Sequence, residues 1–392
     1  MTDSIRTNFD LTKMTARARM EVDATIGRDL NPQGEVKRMY DKGSSQLSPM
    51  ADTKTFWTVR TERVNGEFVP KSIEAKLNVP NAVTGQNVLH GTSVFAAAVS
   101  AFHLQRIWMA TSGVPRVELE RLSLQDLTIL DVTLSFPQIC HTEIDARDLV
   151  HTIGELGTAL YGKQCTIFRS SNDTVYIRRS DYELTIYNKT DLTHCTFKSG
   201  TPVSSVLKAS PTIVRIEVKL KSAYLKKNGL TSIESWRNAY SAGLYEKLFN
   251  ELVRGTCRLD VEKLRQKSPR PEVFAKLTGV EAHILRGYLR GLDPRRAHAI
   301  IDSARPPQRF YELRKALLRK ALIDIDIPWA ILSTLRSSDL GSRLVYQGDF
   351  DPAPKGSDWA FSRSSWDALR ETMEDLYEKA LDSDAPNSAA SA

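Results

Sequence analysis

The chain has few of the residues that build metal and redox centres. Its 392 residues include four cysteines, Cys140, Cys165, Cys195 and Cys257. None forms a CxxC pair, and Cys140-His141 and His194-Cys195 are adjacent rather than spaced as zinc ligands. A zinc site is not expected, and reduced thiols are. The seven histidines are scattered, with no His-hydrophobic-His pair to make a two-histidine metal site. There is no GxSxG nucleophile elbow. Residues 157–164 (GTALYGKQ) approach a phosphate-binding loop, but Gln164 stands where Ser or Thr would meet Mg²⁺, and a helical stretch precedes it instead of a strand. No apolar run is long enough for a membrane span. The most apolar stretch, residues 94–110, is broken by His103, Gln105 and Arg106 and reads as an amphipathic helix. The first residues, MTDSIRTNFDLTK, contain no apolar leader core, so a cytoplasmic protein without membrane partners is expected. No repeat of 20–50 residues is evident.

Positive charge is present, and it is concentrated. The net charge is +7, yet residues 201–322 carry 25 Lys and Arg against 11 Asp and Glu. That local balance of +14 leaves −7 for the remainder. A basic segment in an otherwise acidic chain is the electrostatic footprint of a nucleic-acid binder. The plain alternative is a set of solvated helix faces.

The hydrophobic patterning divides the chain. Residues 1–50 read as a partly helical N-terminal segment. Residues 51–229 read as an α+β domain with a mainly antiparallel sheet, residues 230–382 as a helical, basic domain, and residues 383–392 as a small, polar, disordered tail. Residues 56–79 predict a hairpin turning at Asn65-Gly66. Residues 91–112 and 145–161 predict helices, and residues 117–136 one or two strands. Three short strands follow at 165–169, 174–178 and 182–188, then another at 212–221. Beyond Gly229 the pattern turns helical. A capping box, Thr231-x-x-Glu234, predicts a helix to about residue 253. Asp293-Pro294 opens another, residues 308–323 a third, and residues 364–381 a last amphipathic one.

Alternation along three strands places one chemically special residue on each: Asp131 in ILDVTLSF, Tyr187 in LTIYNK and Glu217 in VRIEVKLK. Asp131, Thr133 and Ser135 share a face, as do Glu183, Thr185, Tyr187 and Lys189, and as do Arg215, Glu217, Lys219 and Lys221. The opposite faces are apolar. Two carboxylates suit Mg²⁺ or Mn²⁺, which would polarise a phosphodiester. A tyrosine hydroxyl, with an ordinary pKa near 10, is a nucleophile once activated. Lys189 is placed to stabilise the phenolate or the phosphate, and Arg215 or Lys219 to hold a neighbouring phosphate. Tyr161, Tyr176 and Tyr182 are competing tyrosines that patterning leaves open.

These segments resemble the rolling-circle replication initiators of filamentous phages, the gene-II-type endonucleases, and the related plasmid initiators. The matching residues, in order, are LDV at 130–132, TVYIRRS at 174–180, IYNK at 186–189 and RIEV at 215–218. Lys71, Ser72 and Ile73 with GQNV at 85–88 resemble the phage branch, as do residues 307–318 (PQRFYELRKALL) with IDIDIP at 323–328. The chain departs from the plasmid branch at Ser135 and Lys219, where that branch carries acids.

The resemblance implies an endonuclease that nicks one strand of a double-stranded DNA origin and later rejoins the displaced strand. Tyr187 would be the nucleophile, Asp131 and Glu217 the metal carboxylates, and Glu183 a supplementary ligand. A host helicase and polymerase are the implied partners, with a homo-oligomer as a further possibility. For the DNA itself, Lys219, Lys221, Arg265, Lys267, Arg270, Arg286, Arg290, Arg295 and Arg296 are the candidate contacts, with a helix-turn-helix within residues 274–292. The alternatives are a non-catalytic origin-binding or regulatory protein of the same family, and an RNA-binding protein or nuclease.

Overall fold

A computed structural model describes residues 2–24, 27–30, 36–40, 56–78, 93–111, 113–168, 174–188, 210–239, 241–257, 271–301, 308–321, 323–326, 329–330 and 340–348. The fold is α+β, and its framework is one ten-stranded sheet. The strands are β1 (Thr2–Asp10), β2 (Gly27–Leu30), β3 (Val36–Tyr40), β4 (Phe56–Val64), β5 (Glu67–Leu77), β6 (Leu127–Ile139), β7 (Cys165–Phe168), β8 (Thr174–Arg178), β9 (Tyr182–Asn188) and β10 (Ile213–Leu220). Their spatial order is β2-β3-β4-β5-β1-β6-β10-β9-β8-β7, and every pairing is antiparallel. The helices are α1 (Ala16–Ala24), α2 (Val94–Thr111), α3 (Arg116–Leu119), α4 (Glu143–Tyr161), α5 (Ser222–Lys227), α6 (Leu244–Leu248), α7 (Pro271–Ala275), α8 (Gly279–Leu289), α9 (Pro294–Ile301), α10 (Gln308–Ala321) and α11 (Leu340–Arg343).

Several elements form where the local chemistry predicts them. The β4–β5 hairpin turns at Asn65 (φ 52°) and Gly66 (φ 89°). Two consecutive positive φ values are what a two-residue turn matched to strand twist requires. β7, β8 and β9 fall within a residue of their expected bounds. α4 opens on a reciprocal cap between Thr142 and Asp145 and stops at Gly162 (φ 52°).

Three expectations are corrected, and the one or two strands expected within residues 117–136 prove to be one. Residues 1–50 hold the helix expected of them, α1, but Thr2–Asp10 is not part of a separate segment. It is a central strand between β5 and β6, burying Ile5 and Phe9 on one face. Residues 117–136 begin with α3, and their strand, β6, starts at Leu127. No single helix runs from 231 to 253. Trp236 Nε1 donates to the Leu230 carbonyl oxygen (2.9 Å), which folds the chain into a turn that buries the indole. A short 3₁₀ helix spans Glu234–Trp236, and α-helix begins only after Gly243 (φ 64°), passing from α6 into a π-helical stretch, Phe249–Arg254. α2 is not amphipathic: its residues from Val94 to Ala110 are buried or half-buried, including Gln105, whose amide donates to Thr7 of β1 (3.0 Å). Among the described residues no helix is long and apolar enough to cross a membrane.

The helices gather on the apolar side of the sheet. Ile5, Val132, Leu134, Ile186, Ile216 and Val218 join Ile284, Tyr288 and Leu317 of the later helices in one continuous buried cluster. The described basic helices therefore share the sheet's core and have no separate one. Residues 364–381 and the tail from 383 lie outside the described residues.

Candidate functional site

The opposite side of the sheet is polar, and its register fixes which side chains meet. Tyr187 pairs with Arg215, and Glu217 pairs with Thr185 on one side and Ser135 on the other. Tyr187 Oη donates to Glu217 Oε1 at 2.7 Å. Arg215 Nε donates to Ser135 Oγ at 2.9 Å and lies 3.2 Å from the same Glu217 oxygen. Arg215 Nη2 donates to Asp3 Oδ1 at 2.6 Å. Asp3 reaches this face because β1 shifts register against β6 between Thr2 and Ser4, and such a bulge re-aims a side chain. Ser4, the next residue, donates to Thr133 on the same face (3.1 Å).

The electrostatics follow from burial. The Tyr187 phenol is pushed well above its ordinary pKa, chiefly by desolvation. Glu217 adds to that rise, and the neighbouring Arg215 charge opposes it. Burial of Arg215 disfavours its charge, but Asp3, Tyr187 and Glu217 outweigh that, and its pKa is raised. The phenol therefore ionises only if its proton is taken. The group in contact with it is the Glu217 carboxylate, at the distance a general base requires.

Asp131 belongs to a second cluster. Arg6 Nε contacts its Oδ2 at 2.6 Å, and Glu74 lies 3.6 Å from the same guanidinium. In register, Glu217 faces Ser135, and Asp131 is four residues further along β6. At about 3.3 Å per residue this is roughly 13 Å, too far for two carboxylates to bind one cation directly. Glu183 faces Lys219 and pairs with Lys221 (2.9 Å). Among the described residues no group of three His, Cys, Asp or Glu is placed to hold a metal. The expected Mg²⁺ or Mn²⁺ site of Asp131, Glu217 and Glu183 therefore does not fit the side-chain arrangement, because each carboxylate already faces a cationic side chain of its own.

Of the other expected residues, Lys189 lies outside the described residues, as do Arg265, Lys267 and Arg270. Arg215 is 4% exposed and engaged three ways, so it is not poised to receive a phosphate. Lys219 and Lys221 are half-buried on the polar face. Tyr161 and Tyr182 are on the helical side, both hydrogen-bonded to Thr256. Tyr176 is on the polar face with its ring edge-on to Phe168. Arg286, Arg290, Arg295 and Arg296 are exposed on α8, α9 and the turn between them. Residues 274–292 hold the end of α7 and all of α8.

Sequence reasoning missed Asp3, Ser4 and Arg6. The available signal was the alternation in TDSIRTNFD, with Ile5, Thr7 and Phe9 against Ser4, Arg6 and Asn8. Comparison with protein-family models, with curated proteins and with solved structures found no match.

Proposed function

We propose that this chain is a replication-initiation endonuclease of the rolling-circle type, which nicks one strand of a double-stranded DNA origin through Tyr187 and later rejoins the displaced strand. The observation that supports it is the Tyr187 Oη to Glu217 Oε1 hydrogen bond of 2.7 Å, on the two strands that carry the IYNK and RIEV motifs. In this reading Glu217 accepts the phenolic proton as Tyr187 Oη attacks the phosphorus. A phosphotyrosyl bond forms, and the leaving 3′ or 5′ oxygen departs with the electron pair of the broken P–O bond. The bond energy is kept for religation. Arg215 acts as a positioning residue: between Asp3 and Ser135 it holds the Glu217 carboxylate against Tyr187. Exposed Arg290 and Arg296 supply phosphate contacts, which make binding steeply salt-dependent.

The second reading is a non-catalytic origin-binding protein. It is favoured by the closure of the Asp3–Arg215–Glu217–Tyr187 network within the chain, a pattern that also serves stability alone.

Both are tested by incubating the protein with supercoiled plasmid bearing the replicon's origin, with Mg²⁺, with Mn²⁺ and with EDTA. The expected result is conversion to open circle, lost in Tyr187→Phe while mobility shift of the origin persists. Activity in EDTA would leave the acid–base work to Glu217 alone. Nicking by Tyr187→Phe at the wild-type rate would remove Tyr187 from the mechanism, and a shift without conversion under any metal would select the binding reading.

A further inference from the structure

On the helical side of the sheet, away from Tyr187, the end of α4, the α8–α9 turn, residues 325–326 and residues 329–330 line a cavity of ≈ 740 Å³. Three aromatic rings line it: Tyr161, Tyr288 and Trp329. Their positions are fixed from behind. Tyr161 Oη donates to the Thr256 carbonyl oxygen (2.6 Å), and Tyr288 Oη to that of Asp324 (3.3 Å). Trp329 packs edge-on against Tyr288, with centroids 5.7 Å apart. With its hydroxyl engaged by backbone, Tyr161 offers ring surface to the cavity, whereas Tyr288, 1% exposed, is the buried support against which Trp329 packs.

Cationic side chains border the rings. Arg295 lines the cavity with its side chain 68% exposed and pairs with Asp326 at 2.6 Å. Arg296 beside it is 88% exposed and lies 3.8 Å from Asp293, which lines the cavity. Beyond Tyr161 a second, polar cavity of ≈ 550 Å³ begins, sharing Leu160 and Tyr161 with the first. It is bordered by Arg179, whose guanidinium lies 4.9 Å from the centre of the Tyr161 ring. The two cavities thus adjoin at Leu160 and Tyr161, with aromatic rings between Arg295 and Arg179, and Asp293, Asp326 and Glu251 also line them. Rings that accept stacking, flanked by cations that track a backbone, are the features that bind single-stranded nucleic acid.

We propose that this groove binds unpaired nucleotides of a single DNA strand, with bases against Trp329 and Tyr161 and phosphates along Arg295, Arg296 and Arg179. The assignment of that strand to the one displaced at the origin rests on the nicking reading. The binding itself does not. The same chemistry would suit a free nucleotide, since cavities of roughly 300–1,000 Å³ commonly hold small ligands, and the test separates the two.

The measurement is fluorescence anisotropy of a labelled oligothymidylate titrated with the full chain at fixed salt. Trp329→Ala should weaken binding by about five- to a hundred-fold, and Trp329→Phe, which keeps a stacking face, should restore most of it. Arg319→Ala, an exposed arginine of α10 that does not line the groove, should have a much smaller effect. Thermal melts of the Trp329 variants show whether the fold is intact. Wild-type affinity in Trp329→Ala would overturn the proposal. Equal loss in both Trp329 variants, with normal melts, would also overturn it. Displacement of the oligonucleotide by thymidine monophosphate at equal nucleotide concentration would assign a free nucleotide instead, and preferential displacement by oligouridylate would assign RNA. A protein that never nicks but loses the strand in Trp329→Ala retains this inference, whereas one that nicks normally with unchanged strand binding in Trp329→Ala loses this inference alone.

Discussion

Arg215 shows how much one buried cation can organise. It is 4% exposed and holds Asp3, Ser135 and Glu217 from three different strands. Truncating one partner of a buried ionic group costs about 3–5 kcal/mol, because the opposite charges are left without compensation. Arg215→Ala is therefore expected to lower the unfolding free energy by an amount in that range, read as a lower urea midpoint at unchanged m-value, and an unchanged midpoint would show that the network does not contribute to stability. The Ser135 hydroxyl accepts from Arg215 Nε. The motif residues near the end of the described chain also have an internal use. Arg314 makes a bidentate pair with Asp324 (2.6 and 2.7 Å), fastening α10 to the IDID stretch.

At the scale of elements, α4 and the β7–β8 hairpin set a limit on side-chain size. A Cβ on Gly157 would lie 2.8 Å from Cys165 Sγ and 3.0 Å from Ile177 Cδ1, and one on Gly154 would lie 3.0 Å from Val175 Cγ2. The glycines of the GTALYGKQ stretch thus serve close helix–sheet approach at Gly157 and helix termination at Gly162, and neither cradles a phosphate. Gly157→Val should overpack this contact at a cost of about 1–3 kcal/mol, read as a lower melting temperature. A melt equal to wild type would mean that the helix shifts without cost. Gly157 is helical, so the effect is one of space and not of backbone strain.

For the whole molecule, the decisive feature is that β1 lies in the middle of the sheet. It joins the β2–β5 half to the β6–β10 half, pairing with β5 on one side and β6 on the other. Deleting residues 2–10 would expose two strand edges, remove Ile5 and Phe9 from the core and leave Arg215 without Asp3. The truncated chain is expected to lose cooperative thermal unfolding by circular dichroism, and a sharp transition near the wild-type temperature would show that the two halves fold without it.

The sequence by itself determined what depends on near neighbours. Alternation marked β7 to β10, Asn65-Gly66 marked the hairpin, helical patterning over 145–161 marked most of α4, and period-2 spacing put Tyr187 and Glu217 on polar faces. Tertiary structure alone decided what depends on register and strand order. Period 2 states which face a residue occupies but not how far along a neighbouring strand its partner stands, so it could not separate Asp131 from Glu217 or unite Glu217 with Tyr187. Nor could local pattern bring Asp3 beside Arg215, 212 residues away, because that contact exists only once β1 has been inserted between β5 and β6.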